Sequence, residues 1–256
     1  MRFAVIGDIH SNLIALTSVI NDIQEKNTDF ILCTGDNVGY SPYPNEVIRL
    51  LRQNNVLSIQ GNYDKAIGSR ELLCGCDYTE QRLLDLAEMS VAFTNNAVSD
   101  KNREYLINLP KELRLHCESL NILVIHGSPR RINEALEEDS AELVEVLQNI
   151  SEDVLIYGHT HRATYKKMGG KHAVNAGSVG KPVNGNPKAS YVILEIVKRN
   201  VKVEIVEVAY DVERAAKAIE NTETLPDEFA DMLRYGGTQW MKMDGASHEK
   251  VIGKLE

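Results

Sequence analysis

Short apolar runs alternate with amphipathic segments along the first sixty residues. The runs at residues 2–6, 30–34 and 56–60 predict three buried strands. Between them, apolar residues recur every three or four positions at residues 13–23 and 45–53, which predicts two amphipathic helices. This β-α-β-α-β order predicts a parallel arrangement, in which the loops at the carboxyl ends of the strands are available for chemistry.

The pattern changes twice further along the chain. Residues 64–115 contain two helix-period stretches, at 80–93 and 101–107, and we expect a small helical cap here. Strands are predicted again at 120–125 and 154–157, on either side of a helix at 140–149. Four strand-like runs follow at 163–168, 171–174, 190–197 and 201–208, before short helices near 212–219 and 227–235. We therefore expect one α/β domain over residues 1–235, with two sheet layers flanked by helices, and a weakly patterned tail over residues 236–256.

Length and composition are those of a globular protein. The chain has 256 residues, of which 43% are hydrophobic and 25% charged, and a chain of this length needs no covalent staple to fold. It contains no apolar run of about 18 residues, and its start predicts a first strand and no signal peptide. We therefore predict a cytoplasmic protein without a membrane partner. The net charge of −9 disfavours a broad nucleic-acid surface, whereas a small anionic substrate is compatible with locally bound metals.

Four cysteines are present, in two settings. Cys33 lies within an apolar run and Cys117 closely precedes another, so both are predicted to be core thiols. Cys74 and Cys76 are too close together for a zinc ribbon, and no second cysteine pair accompanies them. Because thiols stay reduced inside most cells, we expect no structural disulfide.

Side chains that can bind a metal follow five predicted strands directly, each beside a glycine. The five loops are Gly7-Asp8-Ile9-His10, Gly35-Asp36-Asn37, Gly61-Asn62-Tyr63-Asp64, His126-Gly127-Ser128 and Gly158-His159-Thr160-His161. Taken singly, such residues have simpler interpretations, since an aspartate can cap a helix and a histidine can lie satisfied in the core. However, four of the seven histidines fall at strand ends beside oxygen donors. The joint pattern predicts a metal site.

In their order and separations, these motifs resemble those of calcineurin-like metallophosphoesterases over residues 7–180. The resemblance is greater to the small prokaryotic branch related to diadenosine-polyphosphate phosphatases. It rests on the segments Gly7-Asp8-Ile9-His10-Ser11-Asn12, Gly35-Asp36-Asn37-Val38-Gly39-Tyr40-Ser41-Pro42, His126-Gly127-Ser128-Pro129 and Asn175-Ala176-Gly177-Ser178-Val179-Gly180. It implies a four-layer α-β-β-α sandwich with a small helical insertion. It also implies a dinuclear phosphatase or phosphodiesterase, in which a metal-bridging hydroxide attacks a phosphate ester, phosphodiester or nucleoside polyphosphate.

The resemblance also assigns the metal ligands by position. The first metal would be bound by Asp8, His10 and His161, the second by Asn62, His126 and His159, with Asp36 bridging both. This mixed nitrogen and oxygen set suits Mn²⁺, Fe or Zn²⁺ without choosing among them. Residues with a predicted catalytic role are Asn62, Tyr63, Asp64 and His126.

Two further sets of residues are candidates for supporting roles. Ser128, Asn175 and Ser178 are candidates for orienting the metal ligands. Arg130 and Arg131 follow His126 closely, and they are interpreted either as substrate-phosphate ligands or as a solvated pair.

The chain departs from the family pattern at Tyr63, where the family usually has a histidine that assists the leaving group. Asp64 keeps the neighbouring acid. Because a tyrosine hydroxyl has a pKa near 10, it donates a proton less readily than histidine at neutral pH. We therefore predict a bias toward activated esters or polyphosphates.

Other functions stay open as hypotheses. A catalytically weak or inactive binding or scaffold protein on the same fold would typically have lost metal ligands, yet all seven positions are filled. A DNA nuclease is disfavoured by the acidic balance, and a nucleotide-binding switch by the lack of a Gly-rich phosphate loop. The expected partner is a small phosphorylated molecule, with nucleotides and dinucleoside polyphosphates among the candidates. A homo-oligomer formed through the tail is a further hypothesis.

Overall fold

The computed structural model describes residues 1–76 and 78–238, and residue 77 and most of the predicted tail (239–256) lie outside the described residues. The described part contains ten strands and eight helices. In chain order they are β1 (Arg2–Ile6), α1 (Leu13–Gln24), β2 (Phe30–Cys33), α2 (Pro44–Gln53), β3 (Leu57–Ser58), α3 (Asn62–Gly68), α4 (Gln81–Ala97), α5 (Asp100–Ile107), β4 (Leu113–Cys117), β5 (Leu120–Val124), α6 (Ala141–Asn149), β6 (Val154–Tyr157), β7 (Ala163–Met168), β8 (Lys171–Ala176), β9 (Ala189–Val197), β10 (Asn200–Val208), α7 (Val212–Glu220) and α8 (Glu228–Arg234).

The strands form two sheets of five strands each. The first has the order β10-β9-β1-β2-β3 and the second the order β4-β5-β6-β8-β7. Strands β1, β2 and β3 run parallel, as do β5, β6 and β8, whereas β9, β10, β4 and β7 pair antiparallel to their neighbours. The parallel order predicted for the first half is confirmed. The carboxyl ends of three strands therefore meet at one edge of each sheet.

The two sheets pack face to face. Because alternate residues of a strand point to opposite sides, each strand contributes to the core between the sheets and to an outer core. Phe3 and Val5 of β1 lie in one core with Val124 and Ile156 of the second sheet. The intervening Ile6 packs outward in a second core, and the helices complete the outer layers. These outer contacts come from α1 and α2 on the first sheet and from α6 on the second. The predicted α-β-β-α sandwich is confirmed.

A helical cluster lies beside the sandwich and contains residues of α3, α4, α5, α7 and α8. Tyr63, Leu86, Leu106 and Phe229 are buried together in it. The second helix of the predicted cap ends at Ile107 as predicted, whereas Leu113–Cys117, at the end of the predicted cap region 64–115, forms the edge strand β4. Its side chains alternate between exposed and half-buried positions, which is the pattern of a strand covered on one face. Among the described residues, no helix has the length and apolarity required to cross a membrane.

Candidate metal centre

Backbone hydrogen bonds join the loops that follow the strands. The amide nitrogen of Asp8 donates to Gly35 O at 2.9 Å, and that of His10 donates to Asp36 O at 3.0 Å. The second sheet's loops are joined in the same way, since Gly158 N donates to His126 O at 2.8 Å. The loop after β1 is therefore hydrogen-bonded to the loop after β2, and the loop after β5 to the loop after β6. These bonds fix the loops relative to each other at the site.

Five of the predicted ligands have a left-handed backbone. Their φ angles are 49° for Asp8, 48° for His10, 54° for Asp36, 70° for His159 and 60° for His161. This region is uncommon for residues other than glycine, although aspartate and histidine enter it more readily than most. The chain turns sharply at each of these residues, which lets short loops present their side chains to one point.

The first group of side chains consists of Asp8, His10 and His161, and all three are mostly buried. Their ligand atoms converge: His10 Nε2 lies 3.1 Å from His161 Nε2, and His161 Nε2 lies 3.3 Å from Asp8 Oδ1. Asp36 Oδ2 lies 3.7 Å from His10 Nε2.

The second group consists of Asn62, His126 and His159. His126 Nε2 lies 2.9 Å from Asn62 Oδ1 and 3.3 Å from His159 Nδ1. Asp36 contributes here through its other oxygen, because Oδ1 lies 3.5 Å from His126 Nε2. The Asp36 carboxylate thus lies between the two groups, with one oxygen facing each.

Three histidines are oriented by backbone carbonyls. Nδ1 of His10 faces Val38 O at 3.3 Å, Nδ1 of His126 faces Thr34 O at 2.8 Å, and Nδ1 of His161 faces Lys181 O at 2.7 Å. A carbonyl oxygen only accepts, so each Nδ1 carries the proton and each Nε2 presents a lone pair.

The convergent atoms of these three histidines are therefore acceptors, like the carboxylate oxygens beside them. The Nε2 lone pairs of His10 and His161 face each other, and Asp8 Oδ1 is buried without a hydrogen-bond partner. Acceptors held this close repel one another unless a cation lies between them. The donor set and its orphaned carboxylate oxygen fit divalent metal ions.

The charges at the site agree with this interpretation. Burial lowers the pKa of His10 well below its ordinary value and that of His159 to about 3, which keeps both rings in the neutral form that binds metals. Burial, followed by the negative charges of Asp8 and Asp64, raises the pKa of Asp36 well above its ordinary value. Metal cations would offset this accumulation of buried negative charge.

Tyr63 lies at the site, whereas Asp64 lies behind it. The Tyr63 ring packs on His10 with centroids 5.2 Å apart. Its buried hydroxyl forms no hydrogen bond of normal geometry, although it lies near the hydroxyls of Tyr40 and Ser90. Burial and the nearby Tyr78 raise the Tyr63 pKa well above its ordinary value. Asp64 instead accepts hydrogen bonds from the backbone amides of Asn37 and Gly61, at 2.9 and 3.0 Å, and so fixes two of the loops.

Two of the three predicted supporting residues hold the ligand loops. Ser178 Oγ donates to Asp8 O at 2.7 Å, and Asn175 Nδ2 donates to Gly158 O at 2.9 Å. Ser128 Oγ instead accepts from the backbone amides of Arg130 and Arg131 within its own loop, at 3.0 and 3.1 Å.

The predicted substrate arginines are not brought to the convergent ligand atoms. The Arg130 guanidinium forms ion pairs with Glu134 and Glu145. Arg130 and Arg131 line a different cavity. Its lining includes His126 but none of the other predicted metal ligands.

A disulfide joins Cys74 to Cys76, and the expectation of free thiols is wrong for this pair. Gly75 adopts a φ of 71°, which lets so short a loop bring the two Cα atoms to 5.5 Å, a usual separation for a disulfide. The loop contacts the site directly, because Asn62 Nδ2 donates to Cys74 O at 3.0 Å. The remaining cysteines, Cys33 and Cys117, are buried free thiols as predicted.

Two adjoining cavities open at the metal groups, of about 180 and 160 Å³. Both are lined by His159, His161, Tyr40 and Tyr78, and the smaller one also by Lys181. Tyr40, Tyr78 and Lys181 were not predicted from the sequence as site residues. Tyr40 and Lys181 lie within or directly after the segments that carry the resemblance, and this adjacency was the available signal.

Two facing sheets with histidine and carboxylate side chains at a shared edge define a class of metal-dependent phosphoesterases, and comparisons with known proteins agree. Residues 1–199 match the calcineurin-like phosphoesterase superfamily domain. An uncharacterized protein of Methanocaldococcus jannaschii is 32% identical over 248 residues, which are 91% of this chain and 97% of that protein. The chain belongs to the calcineurin-like phosphoesterase superfamily and is a metal-dependent phosphoesterase.

Two solved structures are similar over nearly the whole chain. The crystal structure of a metallophosphoesterase from Sphaerobacter thermophilus has a TM-score of 0.75 and 26% identity, and the match covers 92% of this chain and 99% of that one. A hypothetical protein from Pyrococcus horikoshii has a TM-score of 0.80 at 24% identity, covering 92% and 98% of the two chains. The second likeness concerns the fold alone.

Proposed function

We propose that this phosphoesterase uses two divalent metal ions and hydrolyses a small phosphorylated molecule. The observation that carries the proposal is the position of Asp36, whose Oδ2 lies 3.7 Å from His10 Nε2 and whose Oδ1 lies 3.5 Å from His126 Nε2. A carboxylate with one oxygen toward each of two ligand groups suits a bridging role. Asp8, His10 and His161 would hold one ion, and Asn62, His126 and His159 the other.

The residues of the chain prepare this site before a substrate arrives. Carbonyl oxygens fix the rings of His10, His126 and His161, so little reorganisation is needed when ions bind. When bound, such ions would neutralise charge on the phosphoryl oxygens and make a water molecule acidic enough to attack at neutral pH. Mn²⁺, Fe and Zn²⁺ all suit these ligands.

Tyr63 follows Asn62, where the resemblance implies a histidine that assists the leaving group, and its raised pKa would make it a poor proton donor in that role. The substrates favoured by this arrangement are those whose leaving group departs as a stable anion. Nucleoside polyphosphates, dinucleoside polyphosphates and aryl phosphates have this property. We propose these classes ahead of alkyl phosphates.

Metal content and turnover test the proposal together. The protein is stripped with a chelator, reloaded separately with Mn²⁺, Zn²⁺ and Fe²⁺, and analysed by elemental mass spectrometry. Each form is then assayed on mono- and diesters, nucleotides and dinucleoside polyphosphates. We expect two ions per chain in the wild type, fewer in Asp36→Asn, and turnover that falls with the ion count. Asp100→Asn is the matched control, because Asp100 is exposed and pairs only with Arg70 among the described residues.

Three outcomes separate the possibilities. One ion per chain in a fully active wild type would refute the dinuclear proposal. Two ions without turnover of any substrate class would instead favour a binding or scaffold protein on the same fold. Equal loss of metal in Asp36→Asn and Asp100→Asn would show that the effect is not specific to the bridging position.

A further inference from the structure

Lys181 is anchored to the metal centre through its backbone. Its amide nitrogen donates to Ser178 Oγ at 2.8 Å, and Ser178 in turn donates to the carbonyl oxygen of Asp8. The carbonyl oxygen of Lys181 accepts from His161 Nδ1 at 2.7 Å. The residue thus contacts one metal ligand directly and a second through Ser178, so its position is fixed relative to both.

The Lys181 side chain is buried, with 8% of the residue exposed. Among the described residues no carboxylate lies within ion-pair distance of its Nζ. Nζ instead contacts two tyrosines, and it lies 4.5 Å from the centre of the Tyr40 ring and 3.5 Å from the Tyr78 hydroxyl. Lysine is almost never buried unless its charge is paired. Two tyrosines offset part of that cost and leave the amino group available to an anion.

Lys181 lies on the wall of a cavity that two of the predicted metal ligands also line. Lys181 lines the cavity of about 160 Å³ together with His159 and His161. Much of the remaining cavity wall is apolar and is formed by Leu83, Leu86, Val183 and Met232.

We propose that Lys181 binds an anionic oxygen of the substrate's phosphate group beside the metal centre, and that the apolar wall receives the organic group attached to it. The inference rests on the proposed phosphoesterase function, because it places the phosphate at the metals. An ion pair formed in this cavity is stronger than one at the surface, since apolar walls exclude water. Arg130, already paired with Glu134 and Glu145, has no comparable free charge to offer.

The test compares Lys181→Met, Lys181→Arg and the wild type, all loaded with Mn²⁺. Lys188→Met is the matched control, because the Lys188 side chain is 48% exposed and pairs with Glu207. The affinity for inorganic phosphate is measured by calorimetry, metal content by elemental mass spectrometry, and kcat and KM with p-nitrophenyl phosphate. Circular dichroism melting shows whether each variant folds.

We expect Lys181→Met to keep its metal content, to bind inorganic phosphate at least about tenfold more weakly and to raise KM by a similar factor. Lys181→Arg should stay within about threefold of the wild type because it keeps the charge, and Lys188→Met should not change. Unchanged phosphate affinity in a folded, metal-loaded Lys181→Met overturns the inference. So does a wild type that binds metal but not phosphate, or an equal loss in Lys188→Met.

Failure of the proposed function looks different. In that case no substrate class is turned over by any form, but phosphate binding by the metal-loaded wild type still exceeds that of Lys181→Met. Conversely, normal turnover with equal phosphate affinity in both proteins leaves the function standing and removes the role of Lys181.

Discussion

The poorly bonded hydroxyl of Tyr63 allows a prediction about stability that can be worked out from the structure. The residue is 1% exposed, and its hydroxyl forms no hydrogen bond of normal geometry, although the hydroxyls of Tyr40 and Ser90 lie near enough to interact with it. Burying such a group without a partner costs about 1–3 kcal/mol. Tyr63→Phe removes the hydroxyl and keeps the ring that packs on His10 and Tyr40. We therefore expect the free energy of unfolding of the metal-free protein to rise by about 1 kcal/mol.

Tyr191 provides a matched control within the same chain. It is also fully buried, but its hydroxyl donates to the Asp22 carboxylate. Tyr191→Phe removes a charge-assisted bond of about 1.5–3 kcal/mol and should destabilise the protein by an amount in that range. The same chemical change is thus expected to have opposite signs at the two positions.

Urea unfolding of metal-free protein, followed by circular dichroism, measures both effects. Thermal unfolding should show the same signs, with a midpoint shift of about 2–4 °C per kcal/mol for a chain of this size. If Tyr63→Phe loses stability as Tyr191→Phe does, the hydroxyl has a partner and the reasoning is wrong.

Three further predictions concern the site. Tyr63→His should raise turnover of an alkyl phosphate by up to about 10²-fold and leave p-nitrophenyl phosphate nearly unchanged, and an unchanged alkyl rate would contradict our account of Tyr63. The folded pKa of His159 is lowered from 6.5 to about 3, so the unfolded chain takes up its proton first as the pH falls. The urea concentration at the unfolding midpoint of metal-free protein should therefore be highest above pH 6.5 and lower at pH 5. Equal midpoints at the two pH values would contradict this. Cys74→Ser should weaken metal binding about tenfold in a metal titration because it frees the loop that orients Asn62. Cys117→Ser, at a thiol remote from the site, should not.

The strands and most helices were predictable because the two hydrophobic periods are clear in this chain. Arg2–Ile6 and Val154–Tyr157 have the same limits in the prediction and in the structure. The edge strand Leu113–Cys117 was missed, since only one face of it is covered and its apolar residues are few. A prediction weighted toward continuous apolar runs overlooks such strands.

The candidate ligands could be found from sequence because each follows a strand and the chain order of the motifs is fixed. Their convergence could not be derived in the same way, because it depends on two separate sheets presenting one edge together. The disulfide and Lys181 depend on contacts between distant segments. Gly75 has to turn left-handed to pair Cys74 with Cys76, and Lys181 has to fold back on Tyr40.

The left-handed backbone at five ligand positions affects the amount of this protein that a cell can maintain. Each such residue carries roughly 1–2 kcal/mol of conformational strain, which adds to the repulsion among acceptors in the metal-free state. Ions that bind only the folded chain repay this through mass action. A difference of 1–2 kcal/mol changes the steady-state amount of a protein several-fold, because unfolded chains are degraded. In a cell starved of its metal, the enzyme would become scarce as well as inactive, and its abundance would report the metal supply.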